Sequence, residues 1–246
     1  LDDLSTGSAP EKRTPRPHQQ EAINDVVSGL QSCDRGQLLM ACGTGKTLTS
    51  LWIKEALKAK RVLVLLPSLS LLSQTWKEWS RESQGDMNCL CVCSDKTVVK
   101  QDKSVDAWIE DASDHGVDVT SDPDEIRKFI SENDSGVVFS TYQSSPLIVD
   151  AQTGSEIPSF DIAFADEAHR CAGKVSASFG SVLDDHQIRA SKRLFMTATP
   201  RVMTSQSRKK AADKDIEVAC MDDTSLFGEV LHQLNFSRAV EQQLLT

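Results

Sequence analysis

The sequence predicts an α/β fold in which a mostly parallel sheet carries helices on both faces. Two observations lead there. Short runs that are largely apolar alternate with stretches of helical period, and the apolar runs are bounded by Gly, Pro, Ser or Asp. Strands buried on both faces and joined by helices pair in parallel through right-handed crossovers. The size agrees: 246 residues make one large α/β domain or two small ones, and 39% hydrophobic with 26% charged residues can build a core.

Strands are predicted at Gln37–Ala41, Arg61–Leu66, Met87–Ser94, Gly136–Thr141, Asp161–Ala165 and Arg193–Thr197. Between them lie helices at Pro17–Ser32, Lys46–Ala59, Leu69–Arg81 and Asp122–Glu132; the last opens on Asp122 as N-cap with Pro123 at the first helical position. Lys100–Asp122 has weak periodicity and many Asp, and reads as a surface excursion or flexible insertion. Leu1–Arg16 is polar, with no apolar core of a secretory signal. No window reaches the roughly 18 apolar residues of a membrane span. Seven scattered cysteines, an odd number, fit a reducing compartment and hence a cytoplasmic protein.

The formal net charge of -9 taken alone speaks against a simple basic nucleic-acid binder. It is unevenly spread. Residues 84–135 hold 13 acidic and 5 basic side chains, while the rest of the chain is nearly neutral. This acidic segment reads as a solvated, partly inserted face, with most of its excess placed away from the strand-binding loops.

In open parallel sheets ligands bind beyond the carboxyl ends of the strands. After the first predicted strand comes Met40-Ala41-Cys42-Gly43-Thr44-Gly45-Lys46-Thr47, then a helix. Gly43 and Gly45 permit torsions that turn successive amides, Thr44 among them, toward phosphate oxygens. The helix N-terminus adds its partial positive charge. Lys46 can reach the β- and γ-phosphates, and the Thr47 hydroxyl can ligate Mg²⁺. The first glycine of the common pattern is replaced by Met40. The apolar run 161–165 ends in Asp166-Glu167-Ala168-His169. Two adjacent carboxylates at a strand end are costly without a cation. Beside a phosphate loop, Asp166 is assigned to Mg²⁺ and Glu167 to polarising the attacking water.

Together these segments resemble the superfamily 2 helicases and translocases, in the family's motif order. Arg16-Pro17-His18-Gln19 resembles the adenine-reading Q motif, and Met40–Thr47 resembles motif I. Leu66-Pro67-Ser68 resembles motif Ia and Ser140-Thr141-Tyr142-Gln143 motif Ib. Asp166–His169 is a DEAH form of motif II, and Met196-Thr197-Ala198-Thr199-Pro200-Arg201 resembles motif III.

The resemblance implies a RecA-like P-loop NTPase domain that uses ATP and Mg²⁺. It implies base recognition by Gln19 beside Arg16, coupling through His169, Thr197 and Thr199, and phosphate-backbone contacts at Ser68 and Thr141. Hydroxyls and amides make such contacts without local positive charge. The wording Arg-Pro-His-Gln-Gln-Glu-Ala-Ile is most similar to the motor segment of type I, type III and especially type ISP restriction enzymes, so double-stranded DNA is the expected track. By the same resemblance, a last strand near His232–Phe236 leads into a linking helix. The expected organisation is a flexible segment at 1–15, a RecA-like domain at 16–235 containing the acidic stretch 84–135, and at 236–246 the start of a linker. Motors of this superfamily pair two RecA-like domains, the second supplying arginine fingers. The chain is therefore expected to be the first half of a longer motor, nearly inactive alone.

Weaker signals receive plainer readings. Cys89, Cys91 and Cys93 share one strand face and read as buried strand cysteines rather than zinc ligands. Trp76 and Trp79 read as helix–sheet core. Cys42 reads as a small residue that fits its loop, His18 as structural or adenine-adjacent, and Arg208-Lys209-Lys210 as a solvated basic cluster.

Overall fold

The computed structural model describes residues 12–93, 117–154, 156–174, 177–202 and 218–245. The Arg208-Lys209-Lys210 cluster and most of 100–122 lie outside them.

An eight-stranded sheet forms the centre, ordered β10-β1-β8-β6-β2-β5-β3-β4 and parallel throughout. Its strands are β1 (Arg35–Met40), β2 (Arg61–Leu66), β3 (Cys89–Val92), β4 (Asp118–Thr120), β5 (Gly136–Thr141), β6 (Ile162–Asp166), β8 (Arg193–Thr197) and β10 (Glu229–Leu234). The two-residue strands β7 (Gly173–Lys174) and β9 (Val218–Ala219) pair separately and antiparallel. Alternation along the strands splits the core in two. Val62, Val64 and Leu66 point to one face with Leu38, Met40, Phe139 and Phe164; Leu63 and Leu65 point to the other with Val138 and Phe195.

Helices α1 (Pro17–Ser32), α2 (Lys46–Ala56) and α3 (Leu69–Glu82) cover the first face through Ala22, Val26, Leu51, Ile53, Trp76 and Trp79. On the second face, α4 (Pro123–Glu132) and α5 (Ser145–Ala151) bury Ile126, Ile130, Ile148 and Ala151. A short C-terminal helix, α6 (Phe236–Glu241), follows β10. The tryptophans are core, as their spacing predicts. Trp79 meets Phe139 and Phe164 edge-on, centroids 5.6 and 5.8 Å apart. Cys91 and Cys93 are buried in the same cluster, with Cys89 packed against it. Burial pushes the Cys89 thiol up to about 11 and that of Cys91 well above its usual range.

Several boundaries differ from expectation for local reasons. Helix α2 stops at Ala56, because the chain turns at Lys58, whose φ is +53°. The last strand runs Glu229–Leu234, earlier than expected. Gly228 (φ +72°) starts it where a Cβ would stand 2.2 Å from the Arg35 carbonyl oxygen, and Asn235 ends it by accepting the Arg238 amide at 2.9 Å. The stretch read as an excursion or insertion contains a sheet strand, β4, hydrogen-bonded to β3. Within the N-terminal segment expected to be flexible, Arg13 donates its amide to Glu82 of α3 at 2.8 Å.

The strand order decides what can become a site. Strands β1, β8 and β6 are neighbours, so the segments after Met40, Thr197 and Asp166 emerge side by side at one sheet edge. Strand β2, with Ser68 just beyond its end, and β5, which ends on Thr141, follow next along that edge.

Candidate nucleotide site

The phosphate loop is held open by left-handed glycines. Gly43 and Gly45 have φ of +82° and +87°. The left-handed torsion of Gly45 strains any side chain there, and a Cβ, 2.4 Å from Gln19 Nε2, would push that amide off the loop. The first amides of α2 have no acceptor within the helix, and they point with its positive dipole end toward whatever the loop encloses. Hydrogen bonds brace the loop: Thr44 Oγ1 donates to Ala41 O at 2.7 Å, Thr49 Oγ1 to Gly45 O at 3.0 Å, and Trp79 Nε1 to Thr47 O at 2.9 Å. Lys46 Nζ donates to Met40 O at 3.2 Å, so it lies folded along the loop. Cys42 is exposed on this loop.

The start of α1 clamps the loop from the side. His18 Nε2 lies 3.0 Å from Thr44 O, which gives it the structural role expected. Gln19 accepts the Arg16 amide at 3.0 Å and donates to Gly45 O at 3.3 Å. Its side chain is thus engaged by the loop, and reading a base edge requires exchanging one of those bonds. Arg16 is exposed at the start of the helix.

Opposite the loop, β6 delivers Asp166 and Glu167. Burial, then the neighbouring Glu167, pushes the Asp166 carboxyl up to about 6, while Lys46 pulls it down. Asp166 Oδ1 is sealed from solvent and has no hydrogen-bond partner among the described residues. An unsatisfied buried carboxylate oxygen within electrostatic reach of Lys46 is chemistry that a divalent cation completes, so Asp166 fits a Mg²⁺ ligand.

Glu167 has a left-handed backbone, φ +49° and ψ +46°, a conformation that costs roughly 1–2 kcal/mol for a residue with a Cβ. Its Oε2 lies 3.3 Å from His169 Nδ1 and 3.5 Å from Thr197 Oγ1. Thr197 Oγ1 also meets His169 Nδ1 at 3.0 Å and accepts the Thr199 amide at 3.2 Å. The structure thus gathers Glu167, His169, Thr197 and Thr199 around one hydroxyl.

The two residues expected at nucleic acid differ in access. Ser68 is exposed and caps α3, accepting the Leu71 amide at 3.4 Å. Thr141 is buried, with its hydroxyl 3.0 Å from that of Ser144, so contact of its side chain with a phosphate requires that pair to open. Two site contacts escaped the sequence reading. Trp79 ties α3 to the first turn of α2. Tyr142, the chain's single tyrosine, donates its hydroxyl to Asp166 O at 2.7 Å. The signal for Tyr142 was present: a lone tyrosine at the end of an apolar strand.

Fold and site together define a P-loop motor domain of the superfamily 2 helicase and translocase class. More narrowly, the chain belongs to the family described as "Type III restriction enzyme, res subunit", which matches residues 12–202. It is 36% identical over 214 residues to the probable helicase A859L of African swine fever virus (isolate Tick/Malawi/Lil 20-1/1983), covering 85% of this chain and 22% of that protein. Among solved structures it resembles the type ISP restriction-modification enzyme LlaBIII bound to DNA, with TM-score 0.76 and 34% identity over 96% of this chain and 16% of that one. It also resembles a nuclease-deletion mutant of the type ISP enzyme LlaGI with a DNA substrate mimic, with TM-score 0.73 and 32% identity over 94% of this chain and 21% of that one. The chain thus spans about a fifth of the length of these relatives. Among the described residues no helix is long and apolar enough to cross a membrane.

Proposed function

We propose that this domain binds ATP·Mg²⁺ and converts its hydrolysis into movement along double-stranded DNA, as the first RecA-like half of a restriction-modification motor. The observation that carries the reading is the convergence of the phosphate loop, the Asp166–Glu167 pair and Thr197 on three adjacent parallel strands. The likeness to DNA-bound type ISP enzymes supports DNA as the track.

The chemistry follows from the geometry. The loop amides and Lys46 bind the phosphates. Mg²⁺ held by Asp166 and Thr47 would neutralise charge on the transferring group. Glu167 positions the attacking water and accepts its proton, and His169 and Thr197 fix the direction of that carboxylate. A second RecA-like domain is proposed to contribute cationic side chains to the γ-phosphate, a contribution worth about 10³–10⁵ in rate in related NTPases. Hence the isolated chain binds nucleotide but turns it over slowly. A reducing, cytoplasmic setting accords with the free thiols of all seven cysteines.

DNA-stimulated ATPase of the protein carrying this domain tests the reading. Lys46→Ala should abolish stimulation, and Glu167→Gln should bind ATP without hydrolysing it. Full activity after both changes would remove the assignment. The likeness to a probable helicase favours a second reading, strand separation, which a strand-displacement assay distinguishes from translocation.

A further inference from the structure

Tyr142 opens the turn after β5, yet its hydroxyl reaches over the end of the intervening strand β2 to the carbonyl oxygen of Asp166, 2.7 Å away. The ring is buried and stacks on Phe179 with centroids 5.1 Å apart and planes 22° apart, so its position is fixed by packing as well as by the hydrogen bond. Burial keeps the phenol a neutral donor, pushed well above its usual range, and the Cys171 thiol lies in hydrogen-bond contact with it.

The carbonyl that Tyr142 holds belongs to the peptide joining Asp166 to Glu167. Rotation of that peptide plane changes ψ of Asp166 and φ of Glu167 together. Glu167 is one of three non-glycine residues with positive φ among the described residues, and of these it alone carries a proposed catalytic carboxylate. A left-handed residue at a functional turn persists only where its surroundings over-determine it. Here the β6–β8 ladder holds one side, and the Tyr142 hydroxyl holds the carbonyl directly before the strained residue.

We propose that Tyr142 is a positioning residue for ATP hydrolysis: its hydroxyl locks the Asp166–Glu167 peptide so that Glu167 keeps its left-handed backbone and its carboxylate stays aimed at the attacking water. The Tyr142 hydroxyl donates to the Asp166 carbonyl oxygen. It acts through Glu167, and the inference rests on the hydrolytic reading given above.

The test is a double-mutant cycle on the protein carrying this domain, using DNA-stimulated ATPase and the Kd for a fluorescent ATP analogue. Tyr142→Phe keeps the ring and removes the hydroxyl. Its kcat should fall by about tenfold or more, while the Kd for nucleotide stays within about twofold. In a Glu167→Gln background, whose slow residual hydrolysis is read in single turnover with enzyme in excess, the same change should lower the rate no further, because the group it positions is already gone. Phe179→Leu removes the stacking partner and keeps the hydroxyl; it should lower thermal stability with kcat within about threefold of wild type. Three results would each overturn the proposal: a Tyr142→Phe kcat within twofold of wild type, losses that multiply in the double variant, or a Phe179→Leu kcat as low as that of Tyr142→Phe. If Tyr142→Phe fails to fold, the Phe179→Leu rate still decides: a large loss there assigns the effect to packing. Should Glu167→Gln itself retain full turnover, the hydrolytic reading fails; should it abolish turnover while Tyr142→Phe stays within twofold of wild type, only the positioning role falls.

Discussion

Replacing Asp166 by Asn should make the nucleotide-free domain more stable while ending its activity. The carboxyl is raised from 3.8 to about 6 by burial and by Glu167. A shift of about 2 units corresponds to roughly 3 kcal/mol of penalty in the folded state at neutral pH. The amide removes the charge but brings an NH₂ group into a site whose Oδ1 already lacks a partner among the described residues, at a cost of about 1–3 kcal/mol. The net expectation is a gain between zero and about 2 kcal/mol, or a Tm higher by up to roughly 8 °C for a domain of this size. The sign with pH follows from linkage. A carboxyl raised by folding destabilises the folded state above its folded value. The penalty is full above about 6, shrinks as pH falls toward the unfolded value, and is gone below about 4. Urea denaturation at pH 7.5 and pH 5 checks this, with the wild-type penalty near half its size at the lower pH. Adding Mg²⁺ and ATP should stabilise wild type and leave Asp166→Asn nearly unmoved. Asp166→Asn being less stable than wild type at pH 7.5, or showing the same advantage at both pH values, would refute the assignment of Asp166 as a carboxylate kept unsatisfied for a cation.

Other outcomes follow from the same contacts. Trp79→Ala should cost about 3–5 kcal/mol in chemical denaturation, because it opens a cavity between Phe139 and Phe164 and releases the Thr47 carbonyl. Gly45→Ala should weaken nucleotide binding strongly in equilibrium titration, since the loop needs φ of +87° there, a torsion that a Cβ strains. In thiol-labelling mass spectrometry of the native domain, Cys42 should react first and be protected by ATP, while Cys91 and Cys171 stay unlabelled until unfolding.

How much of this could be read from the chain depends on how local each feature is. Motifs at strand ends were legible because an apolar run that breaks into Gly-Lys-Thr or Asp-Glu is a contiguous signal. Strand β4 was not: Asp118-Val119-Thr120 carries a single strongly apolar residue within an Asp-rich stretch, and only pairing to β3 makes it a strand. Helix α5 has seven residues, too few to show a helical period, although Pro146 in its first turn marks its start. In the site, the spacing of Gly43, Gly45, Lys46, Asp166 and Glu167 was enough to foresee their meeting. The left-handed torsion of Glu167 and its tie to Tyr142 were not, because they arise between segments that the sheet order brings together. Gln19 shows the same limit: its residue type announces a base reader, but the fold first uses its amide to brace the phosphate loop.

The acidic segment can now be placed against the proposed track. Asp86, Glu132 and Asp134 lie before β3 and β5 or at the end of α4, and Asp118 opens β4, on the sheet edge away from the loops. Asp122, Asp124 and Glu125 follow β4 instead, on the same edge as Thr141 and two strands from it. Of the described carboxylates the first group lies clear of the strand-binding loops and the second does not; Asp95, Asp102, Asp106, Glu110, Asp111 and Asp114, which the same expectation covered, lie outside the described residues. Two strand spacings amount to about 10 Å. At that distance a charge pair in water is worth about 0.4 kcal/mol, and physiological salt screens most of it. Carboxylates at this edge would therefore repel nucleic acid on the proposed track only weakly and would not exclude it. Asp124→Asn removes one such charge, keeps the Asp122 cap intact, and releases Arg127 from its ion pair. DNA affinity of the domain should rise by about twofold at low ionic strength and not at all near 0.5 M salt. A rise that persists at high salt would point to a direct contact at Asp124 and place the track along β4; no rise at low salt would place it well beyond Thr141.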